Sequence, residues 1–212
     1  ADLYDTLALA PSDRLMCTVT GEFAELSGPP ETNLALKAAQ ALQRASGTTY
    51  GAHLMLEKSI PVGAGLGGGS ADAAAVLRML NRFWELNWPH EKLLEIAPSL
   101  GADVAMCLAN VPLLASGIGE RLVPLKAVQP AVQLPTMAAL LVYPRVALAT
   151  AQVYGAFRQE KTPPPIALQD FNKDAAWLTL HAARNDLQRA AIAVSPWVAE
   201  VLLALETLTV TS

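Results

Sequence analysis

A glycine-rich stretch followed at once by a helix-forming segment is the feature that most constrains this chain. Five of the seven residues 63–69 are glycines, and an alanine-rich, glycine-free segment begins at Ala71. Glycines let a loop backbone approach a ligand closely, and alanine-rich segments favour helix. Ser70 is a candidate N-cap of this helix, and Asp72 would lie in its first turn, where the helix dipole favours negative charge. A glycine loop at a helix N-terminus predicts an anion site, usually for phosphate, although a flexible connector is the plainer alternative.

Three kinds of phosphate loop differ in the residues around their glycines. A P-loop needs a lysine directly after its last glycine, and here Ser70 follows Gly69, which excludes this class. The dinucleotide pattern G-x-G-x-x-G is met literally by Gly63, Gly65 and Gly68. However, Pro61 interrupts the approach from the preceding strand, and the acidic residue expected about 20 positions later is only Glu85, inside a helical pattern. The dinucleotide loop therefore stays a minor alternative.

The third kind of loop is found in the GHMP small-molecule kinases, which this chain resembles. The matching phosphate motif is Pro61-Val62-Gly63-Ala64-Gly65-Leu66-Gly67-Gly68-Gly69-Ser70-Ala71-Asp72-Ala73-Ala74. Four further segments match in the family's order: Glu31-Thr32-Asn33-Leu34-Ala35, Leu100-Gly101-Ala102-Asp103-Val104, Ser116-Gly117-Ile118-Gly119-Glu120 and Arg184-Asn185-Asp186-Leu187. The triple glycine is similar to the branch that phosphorylates the 2-hydroxyl of a cytidine-diphosphate-linked polyol in non-mevalonate isoprenoid synthesis. The resemblance covers nearly the whole chain and implies a kinase that uses ATP and Mg²⁺.

The order of predicted elements indicates an α+β protein, because strands and helices alternate imperfectly. The predicted helices cover residues 34–45, 71–86, 89–97, 150–157, 174–182 and 196–208, and residues 103–109 are expected to form a short turn or helix. The predicted strands cover residues 3–9, 13–19, 51–57, 111–115, 121–125 and 136–143, the last of them buried. The resemblance implies the two-lobed GHMP kinase fold: a ribosomal protein S5 domain 2-like N-terminal lobe over residues 1–126 and an incomplete ferredoxin-like C-terminal lobe over residues 136–212. The stretch between them is rich in proline and glutamine.

Three motifs that the resemblance implies are not found in this sequence. These are an N-terminal Pro-Ala-Lys-type motif, a Gly-Tyr-His near it and a Gly-Ser-Gly-Ala-type loop near the C-terminus. The chain opens on Ala1 rather than methionine, so we expect it to be part of a longer protein. The lysine that the family pairs with its catalytic aspartate then has no counterpart here.

The resemblance also assigns the residues that would bind ATP and carry the chemistry. Asp103 matches the family's catalytic aspartate, which accepts the alcohol proton; from the residues alone, an N-cap of a short helix is the simpler interpretation. The residues expected to bind the nucleotide phosphates are Gly63, Gly65, Leu66, Gly67, Gly68, Gly69 and Ser70. The Ser70 hydroxyl would also touch a phosphate or Mg²⁺.

The residues that would bind the adenine of ATP and the cytosine of the acceptor are weaker candidates. Asn33 and Lys58 would border the adenine, with a helix cap and a solvated charge as alternatives of equal weight. Thr150 and Tyr154 match positions that the family uses near the cytosine. One helical turn apart, they share a face, and an aromatic ring can stack on a flat base. Core packing of Tyr154 is the competing interpretation.

Composition limits the partners and the compartment. The chain is 52% hydrophobic and 16% charged with a net charge of −4, which gives no basic field for nucleic acid or anionic membranes. Cys17 and Cys107 are isolated, and neither they nor the histidines form a metal-ligand pattern. We therefore expect a cytoplasmic protein without a protein-built metal site. The open alternatives are a GHMP kinase for a different small alcohol and an inactive nucleotide-binding relative.

Overall fold

The computed structural model describes residues 3–117, 119, 121–128, 139–158 and 185–207. The chain divides into two compact units. The first comprises Ala1–Val62 and Leu66–Pro124, and the second comprises Gly63–Gly65 and Leu125–Ser212. The assignment of residues 1–126 and 136–212 to two functional lobes stays a prediction.

The first unit contains a three-stranded mixed sheet. Its strands are β1 (Thr6–Ala10), β2 (Leu15–Thr20) and β3 (Ala52–Glu57), in the order β1-β3-β2. The central strand β3 is antiparallel to β1 and parallel to β2. Apolar residues alternate with exposed ones, so Cys17 of β2 lies opposite Leu54 of β3 and both are buried. The predicted strands are therefore confirmed, with ends that differ by a few residues.

Two helices cover one face of this sheet. Helix α1 (Leu34–Ser46) makes the parallel crossover from β2 to β3, and α2 (Gly68–Phe83) follows β3. They pack against each other through small residues, because Ala38, Ala39 and Ala73 have no exposed surface. Alanine at a helix interface brings the two backbones close together.

Leucines fill the space between these helices and the sheet. The fully buried ones include Leu42, Leu54, Leu77 and Leu80. Burying a leucine side chain contributes about 1.5–3 kcal/mol. This core fixes α2, and therefore the end of the glycine loop, on the sheet.

The first unit ends with two short helices and a hairpin. Helix α3 (His90–Leu94) and a 3-10 turn (Ala97–Ser99) lead into α4 (Ala102–Ala109), which packs on α2. Strands β4 (Leu113–Ser116) and β5 (Arg121–Pro124) pair antiparallel. The structure thus confirms a short helix after residue 102 and the two predicted strands that follow it.

Helices are the regular secondary structure in the described part of the second unit. Its helices are α5 (Leu125–Val128), α6 (Thr150–Ala156), α7 (Gln188–Val194) and α8 (Trp197–Glu206). Helix α7 contacts α6 and α8. The helices expected at 150–157 and 196–208 are confirmed, whereas the one expected at 174–182 lies outside the described residues.

The buried strand expected at 136–143 is wrong for its described part, residues 139–143. These residues adopt no strand, and Leu140 is 80% exposed and Leu141 57% exposed. An apolar run becomes a strand only where a neighbouring strand accepts and donates its hydrogen bonds. No strand in the described part of the chain pairs with this run.

Candidate active site

The glycine loop joins the end of β3 to the start of α2. Gly63, Gly65 and Gly67 all have positive φ angles, of 72°, 74° and 68°, which side chains disfavour. A Cβ atom added at Gly65, Gly67 or Gly69 would meet no atom within 4 Å. Backbone conformation therefore requires glycine at residues 65 and 67, whereas neither conformation nor crowding requires it at 69. The open space beside this backbone is available to a ligand.

Helix α2 begins at Gly68, earlier than the sequence indicated. Its N-cap is Gly67. Because glycine has no side chain, no side-chain hydrogen bond caps this helix. Ser70 is therefore inside the helix, and the prediction that it is the N-cap is wrong. Asp72 lies in the second turn rather than the first. The reason is that Gly68 and Gly69 adopt helical dihedrals, so the last break before the helix is the left-handed Gly67.

This helix start leaves hydrogen-bond donors for an anion. The first intrahelical bond runs from the Ala71 N–H to the Gly67 carbonyl, at 2.9 Å. The N–H groups of Gly68, Gly69 and Ser70 precede it and have no acceptor within the helix, as in every α-helix. Together with the positive end of the helix dipole, they form a site suited to phosphate.

Three charged side chains contact one another near the start of α2. We call these residues, Asp5, Lys58 and Asp72, the buried ionic cluster. The Lys58 Nζ donates to Asp72 at 2.7 Å and also to Asp5. The side chains of all three residues are at most 7% exposed. The solvated-charge alternative for Lys58 is therefore wrong. Asp5 also accepts the N–H groups of Ser59 at 2.7 Å and Ile60 at 2.8 Å.

The two carboxylates of the cluster have opposite pKa shifts. Burial raises the pKa of Asp72 to about 6, although the hydrogen bond and charge of Lys58 oppose this change. Burial also raises the pKa of Asp5, but the hydrogen bonds from Ile60, Lys58 and Ser59 outweigh it, so the net pKa is below the ordinary value. Sequence reasoning missed the cluster. The available signal was Asp72 itself, an acidic residue within an alanine face that packs inward.

Asp103 lies in the first turn of α4 and is exposed. The N-cap of this helix is Gly101, so the interpretation of Asp103 as an N-cap is wrong. Helix α4 is held by the buried Val104 and by a hydrogen bond of 3.0 Å from the Arg78 guanidinium on α2 to the Cys107 carbonyl. Asp103 therefore presents a solvent-accessible carboxylate from a fixed helix.

Helix α4, which carries Asp103, packs against α2, the helix that follows the glycine loop. Burial raises the pKa of the Cys107 thiol, and the negative charges of Asp103 and Asp72 raise it further, while Arg78 lowers it. A second matching motif lies close by: a Cβ atom at Gly119 would be 3.3 Å from the Cβ of Ala102, at the start of α4. The structure thus brings Gly119 of the second motif against Ala102 of the Leu100–Val104 motif.

The two residues predicted to border the adenine, Asn33 and Lys58, have structural roles. The Asn33 side chain accepts the Ala35 N–H at 2.9 Å and so caps α1, as the alternative interpretation held. The Lys58 ammonium is bound by two carboxylates. The placement of both residues beside the adenine stays a prediction.

The candidates for the cytosine, Thr150 and Tyr154, lie on α6 in the second unit. Both are exposed on the helix surface, and Tyr154 is 61% exposed. Core packing of Tyr154 is therefore wrong. Within this second unit, the Leu148 N–H donates to the Gly63 carbonyl at 3.0 Å. Contact of these side chains with a substrate stays a prediction.

The described part of the chain contains neither a metal-ligand cluster nor a membrane-spanning helix. No group of three or more His, Cys, Asp and Glu side chains in that part of the chain could hold a metal ion. No helix in it is long and apolar enough to cross a membrane.

Comparison with known proteins identifies the family. A profile of the GHMP kinases N terminal domain matches residues 33–112. The 4-diphosphocytidyl-2-C-methyl-D-erythritol kinase of Paramagnetospirillum magneticum is 43% identical over 210 residues, which cover 97% of this chain and 70% of that protein. The chain belongs to the 4-diphosphocytidyl-2-C-methyl-D-erythritol kinase family. The kinase of that name from Hyphomonas neptunium is also 43% identical, over 93% of this chain and 65% of its own length. The chain thus spans about two thirds of the length of these curated relatives.

Solved structures agree with this family. A crystal structure of 4-(cytidine 5'-diphospho)-2C-methyl-D-erythritol kinase matches with a TM-score of 0.64 and 30% identity, over 93% of this chain and 67% of that chain. Homoserine kinase from Cytophaga hutchinsonii matches with a TM-score of 0.58 at 20% identity, over 84% of this chain and 56% of that chain, and shows the fold alone. The resemblance to the GHMP kinases is therefore confirmed, and the fold is a mixed α/β fold of that family. The dinucleotide alternative is not supported.

Proposed function

We propose that this protein transfers the γ-phosphoryl group of ATP to the 2-hydroxyl of 4-diphosphocytidyl-2-C-methyl-D-erythritol, a step in non-mevalonate isoprenoid precursor synthesis. The observation that carries the proposal is 43% identity over 97% of the chain to a kinase of that name. The open glycine loop and the donors at the start of α2 support it independently, because a kinase must hold a triphosphate.

The glycine loop binds ATP in this proposal. The amides of Gly63, Gly65, Leu66, Gly67, Gly68, Gly69 and Ser70 point to the phosphates. Asn33 and Lys58 lie on the adenine side, where the Lys58 ammonium stays bound to its two carboxylates and does not contact the base. The Ser70 hydroxyl would touch a phosphate or Mg²⁺, which would neutralise part of the phosphate charge.

Asp103 is the general base. Its carboxylate accepts the proton of the 2-hydroxyl as that oxygen bonds to the γ-phosphorus and the bond to the ADP oxygen breaks. The exposure of Asp103 supports this role, since a base must reach the substrate. Thr150 and Tyr154 hold the cytidine end, where the exposed ring of Tyr154 has a free face for stacking.

We also propose the finer arrangement of the family for this chain. An S5 domain 2-like lobe over residues 1–126 binds the nucleotide, and a ferredoxin-like lobe over residues 136–212 completes the acceptor site. The two structural matches with TM-scores of 0.64 and 0.58 support this arrangement. The enzyme acts in the cytoplasm on small molecules, and neither nucleic acid nor a membrane is a partner.

An activity assay tests the proposal. Purified protein with ATP, Mg²⁺ and the cytidyl substrate should release ADP and form a phosphorylated product. Asp103→Asn should bind ATP normally and lose about 10²- to 10⁴-fold in kcat, the usual contribution of a general base. Asp13→Asn, an exposed acidic residue in the turn between β1 and β2, is the matched control and should retain activity.

Three results would contradict the proposal. Turnover of homoserine or mevalonate, with none of the cytidyl substrate, would indicate a kinase for another alcohol. ATP binding without turnover of any acceptor would indicate an inactive relative. Near-normal kcat in Asp103→Asn would remove that residue from its role.

A further inference from the structure

The buried ionic cluster connects the two ends of the glycine loop. Lys58 and Ile60 stand just before the loop, and Asp72 stands in the helix just after it. The Lys58 ammonium binds Asp72, while Asp5 binds the ammonium and the Ile60 N–H. One set of charges therefore joins the residue before β1, the start of the loop and the helix beyond it.

The backbone of Lys58 is fixed as firmly as its side chain. Its N–H donates to the Thr20 carbonyl at 2.7 Å, and its carbonyl accepts the Phe23 N–H at 3.2 Å. A Cβ atom at Gly21 would lie 2.5 Å from the Lys58 carbonyl oxygen, so this contact leaves no room for movement. The ammonium thus reaches Asp72 from an anchored position on the sheet.

The cluster lies directly against the first residue of the phosphate-binding helix. A Cβ atom at Gly68 would be 3.5 Å from the Lys58 Nζ and 3.0 Å from the Ile60 Cγ2. Because the Lys58 side chain is 4% exposed and already has two carboxylate partners, it has little surface to offer a nucleotide. Its effect on a ligand must pass through the position of the loop.

We infer that Asp5, Lys58 and Asp72 are positioning residues that hold the glycine loop and the start of α2 in the shape that binds a triphosphate. This inference rests on the proposed function, since it takes the loop as the ATP site. It predicts that breaking the cluster weakens binding of the phosphates and leaves binding of the nucleoside unchanged.

Three substitutions separate this role from a structural one. Asp72→Ala removes an acceptor of the ammonium and places a good helix former in α2. Asp72→Asn keeps an oxygen that can accept from Lys58 and serves as the conservative variant. Asp13→Ala removes an exposed carboxylate elsewhere in the first unit and serves as the control.

The measurement is the affinity of each protein for ATP and for adenosine by titration calorimetry, together with its melting temperature. Asp72→Ala should lose roughly tenfold or more in ATP affinity, the effect of losing about one hydrogen bond to a charged phosphate, with adenosine affinity unchanged. Asp72→Asn should recover most of the ATP affinity. If Asp72→Ala does not fold, Asp5→Ala, which also removes an acceptor of the Lys58 ammonium, gives the same comparison.

The outcomes distinguish the inference from the proposed function. Wild-type affinity for ATP in folded Asp72→Ala and Asp5→Ala would overturn the inference alone. Equal losses for ATP and adenosine would also overturn it, because they would place the cluster at the base or in general stability. Absence of ATP binding by the wild-type protein would overturn both.

Discussion

Replacing Asp72 with asparagine should make the stability of this protein less dependent on pH. Burial raises the pKa of Asp72 from 3.8 to about 6. Between these values the folded protein keeps a proton that the unfolded chain has released, so the free energy of unfolding falls as the pH rises. One pKa unit corresponds to about 1.4 kcal/mol, so ionised Asp72 costs about 3 kcal/mol at neutral pH relative to about pH 4.

The comparison isolates Asp72 because its charged and titratable neighbours are the same in both proteins. These are Lys58 and Asp5 in the ionic cluster, Cys17 on β2 and Cys107 on α4. Asp5 has a lowered pKa, so its contribution to the free energy of unfolding depends on pH in the opposite direction. That contribution is lost as the pH falls. An asparagine at position 72 mimics the protonated carboxyl group and keeps an acceptor for the Lys58 ammonium.

Urea unfolding followed by circular dichroism measures the effect at intervals from about pH 4 to about pH 8. Asp72→Asn should match the wild type near pH 4 and exceed it by up to about 3 kcal/mol at neutral pH and above. The control Asp13→Asn should follow the wild-type profile. The reasoning is refuted if the profiles of Asp72→Asn and the wild type are parallel, or if the variant is less stable above neutral pH.

Three further substitutions test the local structure around the site. Asn33→Ala removes the side-chain cap of α1 and should lower the free energy of unfolding by about 0.5–2 kcal/mol in a denaturant titration; an unchanged value would contradict the cap. Gly21→Ala should destabilise the protein by about 1–3 kcal/mol or more, because its φ is 95° and the new Cβ would lie 2.5 Å from the Lys58 carbonyl oxygen. Gly69→Ala is the contrast, because its new Cβ meets no atom. This variant should gain up to about 1 kcal/mol in the free energy of unfolding from helix propensity, yet bind ATP more weakly. A Gly21→Ala variant as stable as the wild type would contradict the crowding at Gly21. A Gly69→Ala variant with normal affinity for ATP would contradict the role of Gly69 in phosphate binding.

The sequence predicted the features that depend on neighbouring residues. Alternating and helical apolar patterns gave the strands and helices of the first unit, and Asn33 was a candidate cap because its side chain can accept a nearby N–H. The glycine loop was visible for the same reason, since its chemistry lies in one continuous stretch. The family motifs then pointed to Asp103, which no pattern of charge or spacing marks as catalytic.

The features that escaped prediction depend on contacts between distant residues. Asp5 and Lys58 are 53 positions apart, and Lys58 and Asp72 are 14 apart, so no local pattern indicates that they meet. The start of α2 was misplaced because glycine adopts helical and left-handed dihedrals with similar ease. The run at 139–143 was misassigned because an apolar sequence does not show whether a partner strand is present.

The central claim is that the backbone amides of the glycine loop bind the triphosphate of ATP. A crystal structure of the protein with a non-hydrolysable ATP analogue tests it most directly. The account predicts phosphate oxygens within about 2.7–3.2 Å of amide nitrogens among residues 65–70. A triphosphate bound elsewhere, with this loop unoccupied, would contradict it.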